Sequence, residues 1–97
     1  MNESRVKIDR VLVGLDVISA DERESVLKAI NSLENFSTTR PLDSNIQKYA
    51  PANMRTFYLL KASPSYRVIF EVNDQDEIEV TDIFRKERLE AFASTKS

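Results

Sequence analysis

The chain has no cysteine and no histidine, which narrows the chemistry its 97 residues can perform. Thiolate nucleophiles, Cys/His zinc sites and imidazole acid–base catalysis are excluded. Proton transfer falls to Lys, Tyr, Asp and Glu, and stabilisation of developing negative charge falls to Arg. The cations are unevenly placed, although the net charge is −2. Between positions 40 and 70, Arg40, Lys48, Arg55, Lys61 and Arg67 stand against Asp43 alone. From Glu71 to Asp82 every charge is acidic, and Arg85, Lys86 and Arg88 then surround Glu87. The net charge predicts no whole-chain pull toward nucleic acid, but a local basic face can exist on an acidic chain. Any arginine among these cations, Arg67 included, offers paired guanidinium donors to one phosphate. Glu71, further along the same strand face, is placed to orient Arg67. The plain alternative is a surface ion pair of Arg67 with Glu71, Glu77 or Glu79, with Lys61 and the Arg85–Arg88 cluster as ordinary solvated charge.

These residues need elements to hold them. Hydrophobic residues make up 41% and charged residues 31%, the balance of a soluble globular protein. The length fits one domain, residues 1–97. No apolar run approaches the roughly 18 residues of a membrane span, and the first ten residues lack a signal-peptide core. A cysteine-free chain suits the cytoplasm. Val6–Val13 (VKIDRVLV) is β-branched and reads as an edge strand ended by Gly14. Ser19-Ala20-Asp21-Glu22 is a capping box, in which the Ser19 hydroxyl and Glu22 satisfy the first free amides. Apolar Val26, Leu27, Ile30 and Leu33 follow at helical spacing, predicting a helix over Ala20–Asn35 with that stripe on a sheet. Ser37–Asn53 is turn-rich, with short helical turns near Ile46–Tyr49.

The last third carries the strongest pattern. Thr56–Ala62, Tyr66–Val72 and Glu77–Phe84 read as strands. Ser63-Pro64-Ser65 and Asn73-Asp74-Gln75-Asp76 are the turns between them. Short connections imply an antiparallel meander. Lys86–Ala93 reads as a short terminal helix, with Ser94–Ser97 frayed. Tyr66 and Phe70 read as core.

The segment Ser65–Phe92 (SYRVIFEVNDQDEIEVTDIFRKERLEAF) resembles the C-terminal half of the RelE/ParE toxin superfamily. Its order of tyrosine–arginine strand, acidic turn, strand and basic helix start is the family's. The capped helix followed by Pro41 also fits. The resemblance implies an α+β RelE-like fold: a three- to four-stranded antiparallel sheet packed on one main N-terminal helix, with a short C-terminal helix. It implies the toxin of a bacterial toxin–antitoxin pair, with a cognate antitoxin as partner in a hetero-oligomer and no membrane association.

RelE-like members are ribosome-dependent endonucleases of messenger RNA. The resemblance places Arg67 on the arginine that stabilises the scissile phosphate and Lys61 near the strand lysines of acid–base role. It places Lys86 on or beside the arginine that contacts the cleaved phosphate, flanked by Arg85 and Arg88; Arg55 is a further candidate RNA contact. No cofactor or metal is expected. Phe92 falls where many active members carry a tyrosine, and ribosome-acting members are usually basic. These departures motivate two alternatives: a ParE-like inhibitor of DNA gyrase that cuts no RNA, and a non-toxic interaction module on the same fold.

Overall fold

The structure, a computed structural model, describes residues 5–88. Strand β1 (Val6–Lys7) leads through a 3-10 turn (Asp9–Val11) into helix α1 (Leu12–Asp16). Helix α2 (Ala20–Asn31) continues as a 3-10 turn over Ser32–Asn35. Strands β2 (Ile46–Tyr49), β3 (Phe57–Lys61), β4 (Tyr66–Val72) and β5 (Ile78–Arg85) follow. They form a five-stranded sheet in the order β1-β5-β4-β3-β2. β2 to β5 pair antiparallel as a meander, and β1 pairs parallel with β5. The α+β class and the helix-on-sheet arrangement are as the sequence implies; the sheet extends to five strands.

One face of the sheet makes the core. Strand alternation sends Tyr58, Leu60, Val68, Phe70, Ile78 and Val80 inward. They share one apolar cluster with Val26, Ile30 and Leu33 of the helical stripe, while Leu27 is half-buried at its margin. Val68, Phe70, Leu60, Val26 and Ile78 are fully sequestered, each contributing roughly 1.5–3 kcal/mol. Tyr58 stacks on Phe70 at 5.1 Å, and Phe36 meets both rings edge-on at 5.0 and 5.2 Å.

Three local expectations are corrected. The strand over Val6–Val13 stops at Lys7, and Gly14 lies inside α1. Ile8, Val11, Leu15 and Ile18 recur at helical intervals, and that set packs on the core, whereas Leu12, Val13 and Val17 are exposed. The β-branched composition masked that period. Ser19 does precede the helix, and its carbonyl accepts the Arg23 amide at 2.8 Å. Its side chain makes no capping bond; instead Arg23 donates to the Leu15, Asp16 and Ile18 carbonyls at the end of α1. Finally, Ile46–Tyr49 is strand β2 rather than helical turns, because Ile46 fits inward opposite Leu60.

The expected helix over Lys86–Ala93 begins with helical residues 86–88. Its remainder, with Phe92 and Ser94–Ser97, lies outside the described residues.

Candidate functional site

The other face of the sheet carries Lys61 and Arg67, and no described element covers it. Lys61 of β3 pairs directly opposite Arg67 of β4, and Arg67 lies opposite Phe84 of β5. Cross-strand partners have Cβ atoms only about 4.5–5.5 Å apart. Two cations at that separation oppose folding unless a further group answers them. Lys61 and Arg67 line one groove of about 260 Å³ with Ser44, Asn45, Gln47 and Leu59.

The turn Ser63-Pro64-Ser65 sets the pose of Arg67. The Ser63 hydroxyl accepts the Ser65 and Tyr66 amides at 3.3 and 3.1 Å, tightening the turn. Arg67 Nη1 then donates to the Ser63 carbonyl at 2.9 Å and the Tyr66 carbonyl at 3.1 Å, with the Pro64 carbonyl at 3.5 Å. Among the described residues, Nε and Nη2 make no hydrogen bond. Those two donors form one edge of the planar guanidinium, the edge that binds a phosphate bidentately. The expected orienting or pairing acids are otherwise engaged. Glu71 pairs with Arg55 at 3.5 Å, Glu77 with Lys7 at 3.7 Å, and Glu79 accepts from Asn73 at 3.1 Å. Backbone carbonyls replace Glu71 as the orienting group.

The other expected residues separate. Arg88 lines an adjoining, mostly apolar groove of about 450 Å³ with Tyr49, Phe57, Leu59, Ile69, Phe84 and the acidic Asp82. Lys86 is anchored beside the clamp by its amide, which donates to the Ser65 carbonyl at 2.9 Å. Arg85 is on the opposite face: it lies across from buried Tyr66, 5.7 Å above the ring, and pairs with Glu87 at 3.7 Å. A β-bulge between Ile69 and Phe70 of β4 causes this. Val80 pairs with Phe70 and Asp82 with Ile69, so Thr81 is the extra residue. The parity of β5 therefore flips, sending Phe84 out beside Arg67 and Arg85 inward. Arg55 stands at the far end of the open face, beside Glu71 and near Asp74 and Glu79. That is four residues from Arg67 along β4, or about 13 Å.

Sequence reasoning missed Gln47 and Tyr49, whose outward positions on β2 depend on a strand it did not foresee. It also missed Arg5, which donates to the Phe36, Glu34 and Asp76 carbonyls at 2.7, 3.0 and 2.6 Å and pairs with the Asp76 carboxylate at 3.1 Å. Arg5 thereby ties the β1 end to the helix exit and to the β4–β5 hairpin. Asp76, at φ 64°, takes the left-handed position that closes this loop.

This helix-on-sheet arrangement is a RelE-like α+β fold. The crystal structure of the archaeal RelE–RelB complex from Pyrococcus horikoshii OT3 contains a similar chain, with a TM-score of 0.65 and 24% identity over 87% of this chain and 96% of that one. No family model and no curated protein matches the sequence.

Proposed function

We propose that this protein is the toxin of a toxin–antitoxin pair and that it cleaves messenger RNA on the ribosome, without metal or cofactor, in the cytoplasm. The observation that carries the reading is the Lys61–Arg67 pair on the uncovered sheet face, with the Nε/Nη2 edge of Arg67 unengaged among the described residues. Cleavage by the 2′-hydroxyl forms a bond from that oxygen to phosphorus and breaks the bond to the 5′-oxygen. One proton leaves the attacking oxygen and one reaches the leaving oxygen. Arg67 holds the phosphate and answers the charge that builds on it. Lys61 is the proton carrier in the groove, and Lys86 adds a third cation from the strand end. Arg88 extends the contact to the RNA backbone; Arg85 and Arg55 are poorly placed for it. The similar archaeal structure was solved as a complex with RelB, and an antitoxin of that kind is the proposed protein partner.

Induced expression of wild type and Arg67→Ala, with mapping of transcript 5′ ends, tests the reading. Wild type should arrest growth and leave new 5′ ends, and the variant should do neither. A second reading, gyrase inhibition, draws on the separation of Arg85 and Arg55 from the groove. It predicts a DNA-damage response and gyrase co-purification, with transcripts intact.

A further inference from the structure

The open face does not end at the clamp. Its next rows along the strands are Gln47 opposite Leu59 with Ile69 beyond, and then Tyr49 opposite Phe57. Outward-facing residues on one strand recur every two positions, about 6.6 Å apart. Two such rows beyond Lys61 offer places for two successive nucleotides of an unstacked single strand. Tyr49 and Phe57 lie nearly parallel, 13° between ring planes at 5.2 Å, and Tyr49 is 41% exposed. An exposed aromatic ring is a stacking platform for any base. The Tyr49 hydroxyl donates to Gln47 Oε1 at 2.9 Å, which fixes the amide over the Leu59 row.

We propose that this strip is a two-nucleotide subsite in which Tyr49, backed by Phe57, stacks a base and Gln47 selects adenine beside the clamped phosphate. The proposal rests on the RNA reading of the Lys61–Arg67 groove. Gln47, so held, keeps one lone pair on Oε1 and both Nε2 protons. A donor beside an acceptor matches the N6/N7 edge of adenine, whereas the O6/N7 edge of guanine presents two acceptors. Leu59 and Ile69 supply an apolar floor under the base. Charge sets the length of the site. Lys61, Arg67 and Arg88 mark its phosphate end, while Asp82 beside Ile69, Glu79 and the Arg55-paired Glu71 leave the β5 and hairpin side net acidic and disfavour a further phosphate there. An apolar protein segment would fill the same strip but would strand the two clamp cations without anionic partners.

The test is equilibrium binding of the full chain to short single-stranded RNAs that differ at one base and carry a 2′-deoxy sugar at the scissile position. Wild type should favour adenine over guanine by about tenfold at the position next to the clamp. Tyr49→Phe keeps the ring and removes the donor; it and Gln47→Leu should bring adenine down to the guanine level. Tyr49→Ala should weaken every RNA by about tenfold. Survival of the preference in Tyr49→Phe and Gln47→Leu overturns the subsite, and the clamp still stands if Arg67→Ala weakens all RNAs alike. A wild type that binds no RNA, with Tyr49 shielded instead by an antitoxin peptide, also overturns it. The nuclease reading falls separately, through growth arrest with uncut transcripts.

Discussion

Strand β4 builds two surfaces from one run of seven residues. Tyr66, Val68 and Phe70 point into the core and are at most 8% exposed. Arg67, Ile69 and Glu71 point the other way and stay half-buried. On the inner side every capacity is used: rings meet rings, the helical stripe fills the remaining contact, and no buried polar side-chain atom among the described residues lacks a partner. On the outer side capacity is left over. Apolar side chains from three strands have no described cover, and Arg67 keeps a pair of donors in reserve. A side that has spent its contacts holds the fold, and a side that has not is where a ligand has something to gain.

That contrast can be broken by mutation. The largest stability effect should come from Phe70→Ala, a loss of about 3–5 kcal/mol in urea or thermal unfolding. Ile69→Ala, one residue away, should cost about 1 kcal/mol or less. Equal losses would mean that the outer face is also core. The largest functional effect should come from Arg67→Ala, with a fall of about 10²–10³ in the rate of RNA cleavage. Its stability should change by only about 1 kcal/mol, the net worth of the turn hydrogen bonds. Arg88→Ala should weaken growth arrest while Arg85→Ala leaves it intact, because Arg88 lines the outer groove and the bulge sends Arg85 to the other face. Smallest of all, Arg55→Ala should shift stability by about 0.2–1 kcal/mol, as expected for an exposed pair with Glu71, and leave cleavage unaltered. A strong loss of activity there would show that the functional surface runs the full length of the sheet.

The inner face was legible in the sequence because its period is regular. Helical spacing at Val26, Ile30 and Leu33 and alternation at Tyr66, Val68 and Phe70 each admit one packing. The start of the chain was not, because apolar residues from Ile8 to Ile18 satisfy a strand and a helix pattern together, and only packing on the core selects the set at 8, 11, 15 and 18. β2 was hidden for the opposite reason: Ile46 is its one buried residue, so the strand shows no alternation to read. In the site, the pairing of Lys61 with Arg67 follows from a short turn and two clear strands. The departure of Arg85 does not follow from sequence, since no residue type announces that β5 holds one residue more than its neighbour. The orienting role expected of Glu71 went to backbone carbonyls, which composition cannot reveal.

The bulge also bears on how such a gene tolerates change in length. Thr81 has no partner position of its own on β4 and adds one hydroxyl bond to the Ile69 carbonyl at 3.3 Å. Loss of its codon would leave Val80 opposite Phe70 and Asp82 opposite Ile69, with every other side chain of the strand on its present face. Loss of a neighbouring codon such as that of Ile83 would transpose the residues beyond it from one face to the other. Thr81 is thus a joint at which the reading frame of the sheet absorbs a deletion that the same strand refuses elsewhere.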